Sequence, residues 1–231
     1  MEEKPEVLMN SARNRETILS KLHQEGEVGD LPEPTPSTLH ERPHLLPRIL
    51  ASRLAENGAE CHLTTEHAHS VDLLADLIFQ SGVRTVALSG EDLLLDLNLF
   101  EVLSERLPKV AFFRAGETSR EEWMVMELGV TTCEALIAES GTIILSPVAK
   151  ADKACSILPV HHVVLGAGER LFPDLPSWMS VLPPEERTRS RIYMHGPSRT
   201  ADIEKKIVLG IHGPKRVTVF AAVGQVLDHQ S

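Results

Sequence analysis

The run His195-Gly-Pro-Ser198-Arg199-Thr200-Ala-Asp202-Ile-Glu204, followed after five residues by Gly210-Ile-His212-Gly-Pro214, gathers residue types that bind small anions. Gly196 and Pro197 stop the preceding element. Ser198 and Thr200 are helix-capping residues, and Asp202 and Glu204 would then occupy a helix's first turns. Arg199 stands between two hydroxyls, where the unpaired amides of a helix start would point outward and could hold a carboxylate or phosphate. The same residues equally describe a plain helix start whose acidic side chains complement its own dipole. His212, between two glycines, is either a ligand contact or a histidine that a turn happens to carry.

Glu139-Ser140-Gly141-Thr142 is the second constellation. A carboxylate at a tight Ser-Gly turn, with two hydroxyls and exposed amides beside it, could act as general base or as covalent nucleophile. It could also be a solvated hairpin glutamate, with Gly141 present only to supply φ > 0. His162 opens an apolar strand; there it could bind a carboxylate, shuttle a proton, or simply be hydrogen-bonded inside the sheet. Cys61-His62, His67 and His69 fit no standard zinc spacing, so no metal site is expected. Gly166-Ala-Gly168 lacks the third glycine of a dinucleotide fingerprint, and no phosphate-loop motif is present. The three cysteines, Cys61, Cys133 and Cys155, are too scattered for an iron–sulfur cluster of the usual kind.

Three stretches together carry a family resemblance: Gly129-Val-Thr-Thr-Cys-Glu-Ala-Leu-Ile-Ala-Glu-Ser-Gly-Thr142, Ser156-Ile-Leu-Pro-Val-His-His162, and the His195–Pro214 segment. In this order they resemble the lactate utilization protein C family, the LUD-domain proteins. Ala12-Arg-Asn-Arg-Glu-Thr-Ile-Leu19 is similar to that family's opening helix. The resemblance implies the fold shared by ribose-5-phosphate isomerase, glucosamine-6-phosphate deaminase and the CoA transferases. That fold is α/β, with a mostly parallel central sheet and flanking helices. It implies an accessory subunit of an L-lactate to pyruvate oxidation system, binding a small carboxylate or phosphate or organising a complex. No cofactor is expected on this chain; iron–sulfur clusters are expected on partner subunits. Under the resemblance His162 matches a family histidine, and Lys153 stands where many relatives carry arginine, which would turn a bidentate grip into a point charge. Glu139 corresponds by analogy to the glutamate near a glycine turn in CoA transferases. Two other functions stay open: a stand-alone isomerase- or transferase-like enzyme using Glu139, and a structural or regulatory subunit with a vestigial pocket.

Elements must position these residues. Residues 1–28 are expected to form a helical arm, with Leu8, Ala12, Ile18, Leu19 and Leu22 on one side, and 29–47 an extended Pro-rich linker. A LUD-like α/β domain is expected over 48–225. Within it, helices are expected around Leu46–Leu54 and Val71–Ile78, the latter closed by Gly82. Thr118-Ser-Arg-Glu121 should cap a helix running to Gly129. Strands are expected over 61–64, 84–88, 109–113, 162–165, 190–194 and 216–222, with a hairpin of 136–138 and 143–145 around the Glu139 turn. This alternation argues for a parallel sheet with helices on both faces.

The 231 residues suit one sizeable core, built on Leu, Val, Ile and Ala because only 4% are aromatic. With 33 acidic against 23 basic residues the formal charge is −10, which disfavours nucleic acid and anionic membranes. No apolar run approaches the ~18 residues of a spanning helix. The Met-Glu-Glu-Lys-Pro start lacks a signal-peptide pattern and the odd cysteine count suits a reducing compartment, so a cytoplasmic location is expected.

Overall fold

The computed structural model describes residues 38–147, 149–201, 207–209 and 212–224, all within the unit Ser37–Ser231. The expected N-terminal helix, the linker up to residue 37, Asp202 and Glu204 lie outside the described residues. The helices are α1 Leu46–Glu56, α2 His67–Ser81, α3 Asp92–Asp96, α4 Leu99–Arg106, α5 Arg120–Trp123, α6 Lys150–Ile157 and α7 Leu175–Val181. The strands are β1 Glu60–Thr64, β2 Thr85–Leu88, β3 Ala111–Arg114, β4 Leu128–Thr132, β5 Ala135–Ile137 and β6 Thr142–Leu145. They continue with β7 His161–Ala167, β8 Leu171–Phe172, β9 Ile192–Met194, β10 Arg199–Ala201, β11 Ile207–Leu209 and β12 Arg216–Ala222.

Six strands pair entirely in parallel, in the order β1-β12-β7-β4-β2-β3. Central strands in such a sheet are buried on both faces and read as continuous apolar runs. Every residue of β7 is accordingly buried. Val163 and Leu165 face one layer, where Val71, Leu74 and Ile78 of α2 and Leu99 and Leu103 of α4 pack. Val164 faces the other, with Leu46, Leu50 and Leu54 of α1 and Leu136 and Ile143 of the β5–β6 hairpin. Leu46, Leu50 and Leu54 recur every four residues, so one stripe of α1 reaches the core. Burial of each such side chain contributes roughly 1.5–3 kcal/mol. The hairpin belongs to a second sheet, β8-β5-β6-β9, standing on the first.

The expected α/β architecture is the one observed, and the hairpin around residues 139–142 forms as read. Four local expectations differ. The Pro-rich stretch is not extended in its described part: Thr38–Glu41 and Pro43–Leu45 are 3-10 turns, and Pro47 sits in the first turn of α1, where its missing N–H costs nothing. The capping box is shifted by one residue: the Ser119 hydroxyl accepts from the Glu122 amide and the Glu122 carboxylate accepts from the Ser119 amide. Its helix lasts one turn: Met124 and Val125 form a turn after it, and β4 begins at Leu128. Gly129 is therefore mid-strand, and its reason is proximity: a Cβ there would lie 2.1 Å from the Cys155 carbonyl oxygen of α6. Finally, no helix begins at Ser198. Arg199–Ala201 pairs antiparallel with Ile207–Leu209, and the β-branched Ile207 and Val208 explain why strand pairing wins.

Candidate functional site

The chain leaves β2 to form β3 on one side and returns to place β4 on the other side of β2. This makes a topological switch point at the carboxyl ends of β2 and β4, where open parallel sheets bind ligands. A crevice of about 690 Å³ opens there, lined by Gly90, Glu91, Thr132, Glu134, Asp152, Arg170 and Arg189 among others. A hollow of about 290 Å³ beside it, over β2 and β3, shares Gly90 and Gly116.

Glu91 follows β2 directly through Ser89-Gly90. Its Oε2 accepts the Thr132 amide at 2.6 Å and the Ser89 hydroxyl at 2.7 Å, tying the end of β2 to the end of β4. Burial pushes this carboxyl above its ordinary range; the two donors oppose the shift and nearby Asp152 adds to it. Asp152, buried at the start of α6, accepts the Gly90 amide at 2.8 Å and the Ala149 amide at 3.0 Å. Glu134, just after β4, is gripped by Arg191 through two bonds of 2.7 Å. Arg191 lies over the Trp178 ring, 5.2 Å from its centre. Arg170 donates to the Cys133 carbonyl at the crevice wall. The crevice thus sets two guanidinium groups, Arg170, which donates to the Cys133 carbonyl, and Arg189, which pairs with Glu186 at 2.8 Å, in the same lining as a carboxyl that burial favours in its protonated form. Guanidinium groups can hold a carboxylate, and a carboxyl such as Glu91 can exchange a proton or hydrogen bond with a hydroxyl.

The residues singled out by sequence sit elsewhere. The Glu139 turn and the His195–Arg199 loop do meet, at the carboxyl end of α1. The Ser140 and Thr142 hydroxyls are 2.5 Å apart, and Thr142 Oγ1 lies 3.0 Å from His195 Nε2. Asn57 donates to the Ser140 carbonyl at 3.0 Å, and Arg199 donates to the Asn57 carbonyl at 2.8 Å. Gly141, at φ 66°, lies so close to α1 that a Cβ would come within 2.9 Å of the Arg53 backbone. Arg199 therefore satisfies a carbonyl at a helix C-terminus, where a cation also meets the favourable end of the dipole. The Ser198 amide donates to the Pro214 carbonyl at 2.9 Å, so it does not point outward as a helix-start amide would. Glu139 is exposed, and its amide donates to the Pro173 carbonyl. The corner lies at the amino end of the sheet, since α1 leads into the start of β1 and Pro214 into the start of β12.

His162 is not part of this corner's surface. It is fully buried, its Nε2 2.9 Å from the Thr131 hydroxyl, and burial pushes its pKa down to about 3. His161 pairs with the Thr218 hydroxyl on the other face, and burial with the neighbouring Arg216 pushes it down to about 4. Lys153 is exposed on α6 and His212 is exposed just before β12. The Thr200 backbone pairs with Val208 in the β10–β11 hairpin. Sequence reasoning passed over Glu91, Glu134, Asp152 and Arg170. One signal was available: Ser89-Gly-Glu91 directly follows a buried strand, the place where α/β sites begin. Among the described residues no helix is long and apolar enough to cross a membrane.

The LUD domain matches residues 48–221. The chain is similar to Lactate utilization protein C of an Exiguobacterium species, 31% identical over 107 residues, 44% of this chain and 46% of that protein. It is also similar to the Escherichia coli protein YkgG, 28% identical over 160 residues, 67% of this chain and 69% of that protein. The match therefore spans less than half the length of the first relative. A crystal structure of a DUF162 family protein from Deinococcus radiodurans superposes with a TM-score of 0.54 at 18% identity, covering 80% of this chain and 99% of that one. That likeness shows the fold.

Proposed function

The chain belongs to the LUD domain family, and from that premise we propose that it is an accessory subunit of an L-lactate utilization system, binding a 2-hydroxy or 2-oxo carboxylate in the crevice at the carboxyl ends of β2 and β4. The names of its relatives support the pathway. One observation supports the ligand class: Arg170 and Arg189 line the same crevice as Glu91. The guanidinium groups take the carboxylate, and Glu91 faces the 2-hydroxyl, giving or accepting its proton. Electrons leave through iron–sulfur partner subunits, as expected for the family; this chain holds the anion and organises the complex. The test is titration of the purified chain with L-lactate, pyruvate, a phosphorylated sugar and coenzyme A, read by calorimetry. Arg170→Met should weaken lactate or pyruvate binding by about tenfold. Binding of neutral ligands only, or anion binding indifferent to Arg170 and Arg189, would overturn the reading.

A second reading, a stand-alone proton-transfer enzyme of the isomerase type, is favoured by the raised carboxyl of Glu91. In that reading the base is Glu91 and not the exposed Glu139. Proton exchange at carbon in a bound sugar phosphate, abolished by Glu91→Gln and untouched by Glu139→Gln, would establish it.

A further inference from the structure

At the amino edge of the sheet, far along the strands from the crevice, α2 and α4 end side by side. Phe79 stands there 76% exposed. It separates two hollows that share it together with Arg106 and Leu107. One, about 560 Å³, is apolar at its floor and carries Arg84 and Lys109 at its rim. The other, about 420 Å³, carries Asp72 and Asp76. Asp72, Asp76 and Phe79 follow one another at i, i+4 and i+7, so they form a single stripe along the exposed side of α2. Asp72 is paired with Arg106 within the chain. Asp76, Arg84 and Lys109 are exposed and form no ion pair among the described residues.

The patch is self-complementary: an exposed aromatic ring with carboxylate on one side and a cation-rimmed apolar groove on the other. A two-fold rotation near Phe79 would set acid against base twice and each ring against the other copy's groove, which is the requirement for an isologous dimer. We propose that two copies of this chain associate through this face, with Phe79 of each in the groove of the other and Asp76 of each facing Arg84 and Lys109 of the other. The residues that precede β2 and β3 make the groove, so the contact uses the amino edge and leaves both carboxyl-end crevices open.

Sedimentation equilibrium of the full chain across the micromolar range tests this. The wild type should be a monomer–dimer mixture that weakens as salt is raised. Phe79→Asp should weaken the dimer by at least about tenfold while leaving circular dichroism and thermal unfolding unchanged, because the ring is not part of the core. Asp76→Lys alone and the double variant Arg84→Glu/Lys109→Glu alone should each be monomeric, since each sets like charges against one another twice. Mixed together they should form a heterodimer, because both halves of the contact are then complementary. A wild type that stays monomeric throughout, a dimer indifferent to Phe79→Asp, or two charge variants that do not associate on mixing would each overturn the proposal.

Discussion

Burial has moved His161, His162 and Glu91 off their ordinary values, and they bend the stability profile in opposite directions. His161 and His162 hold pKa values of about 4 and about 3, against 6.5 for an ordinary histidine. In the unfolded chain both rings take up protons as the pH falls below 6.5, while the folded chain still refuses them. Their contribution is thus complete above pH 6.5 and is lost as the pH falls toward about 3. Glu91 works the other way, since its folded pKa is raised. Its contribution is complete below the ordinary carboxylate range and is lost as the pH rises through the raised value. Urea unfolding from pH 4 to pH 8 should therefore show a flatter acid limb in His162→Gln, which still offers Thr131 a partner but no longer titrates. Glu91→Gln should leave the acid limb steep and remove the decline on the other side. If His162→Gln keeps the full acid slope, the buried histidines are not what the acid limb reports.

At the scale of elements, the β5–β6 hairpin joins the two ends of the sheet: its base borders the crevice and its tip rests on α1. The base is secured by Arg191 from β9's approach, whose side chain is 3% exposed and pairs with Glu134, 21% exposed. Arg191→Met leaves that carboxylate without its partner and should cost about 3 kcal/mol. Arg191→Met/Glu134→Leu should recover much of the loss, because the stranded charge is gone, and a double-mutant cycle in urea reads the coupling directly. Equal destabilisation in the single and the double variant would mean that packing of Arg191 on Trp178, and not the ion pair, holds the hairpin. The hairpin was legible in the sequence because Leu136–Ala138 and Ile143–Leu145 are apolar on both sides of a Ser-Gly turn. β7 and β12 were legible for the same reason, being continuous apolar runs. The pairing of β10 with β11 was not. Ser198, Thr200 and Asp202 after Gly-Pro have the composition of a helix cap, and the strand at Arg199–Ala201 depends on pairing with Ile207–Leu209, which the composition around Ser198 does not encode. The crevice was hidden for a different reason. Residues 91, 134, 152 and 170 each look like ordinary surface charges, and only the strand order brings the ends of β2 and β4 together.

For the molecule as a whole, the question is how far this chain could go with lactate by itself. Turning a 2-hydroxy acid into a 2-oxo acid removes two electrons, and an acceptor has to carry them. Cys61 lies on β1, Cys133 follows β4 and Cys155 is on α6, so no two stand in a cluster-binding run. Burial pushes the Cys61 and Cys133 thiols up to about 12 and raises Cys155 as well, whereas iron is held by thiolates. The Gly166-Ala-Gly168 run lies at the end of β7 without the third glycine that lets a helix start approach a pyrophosphate. In the proposed reading Glu91, Arg170 and Arg189 bind an anion and move a proton, and none of the three can receive a hydride. Purified chain given L-lactate and an artificial electron acceptor should therefore turn over no faster than buffer. Co-expression with cysteine-rich lactate utilization partners should restore oxidation, and Arg170→Met should then lower it by raising KM for lactate more than by lowering kcat. Lactate oxidation by the isolated, metal-stripped chain would show that the acceptor site is in this fold after all.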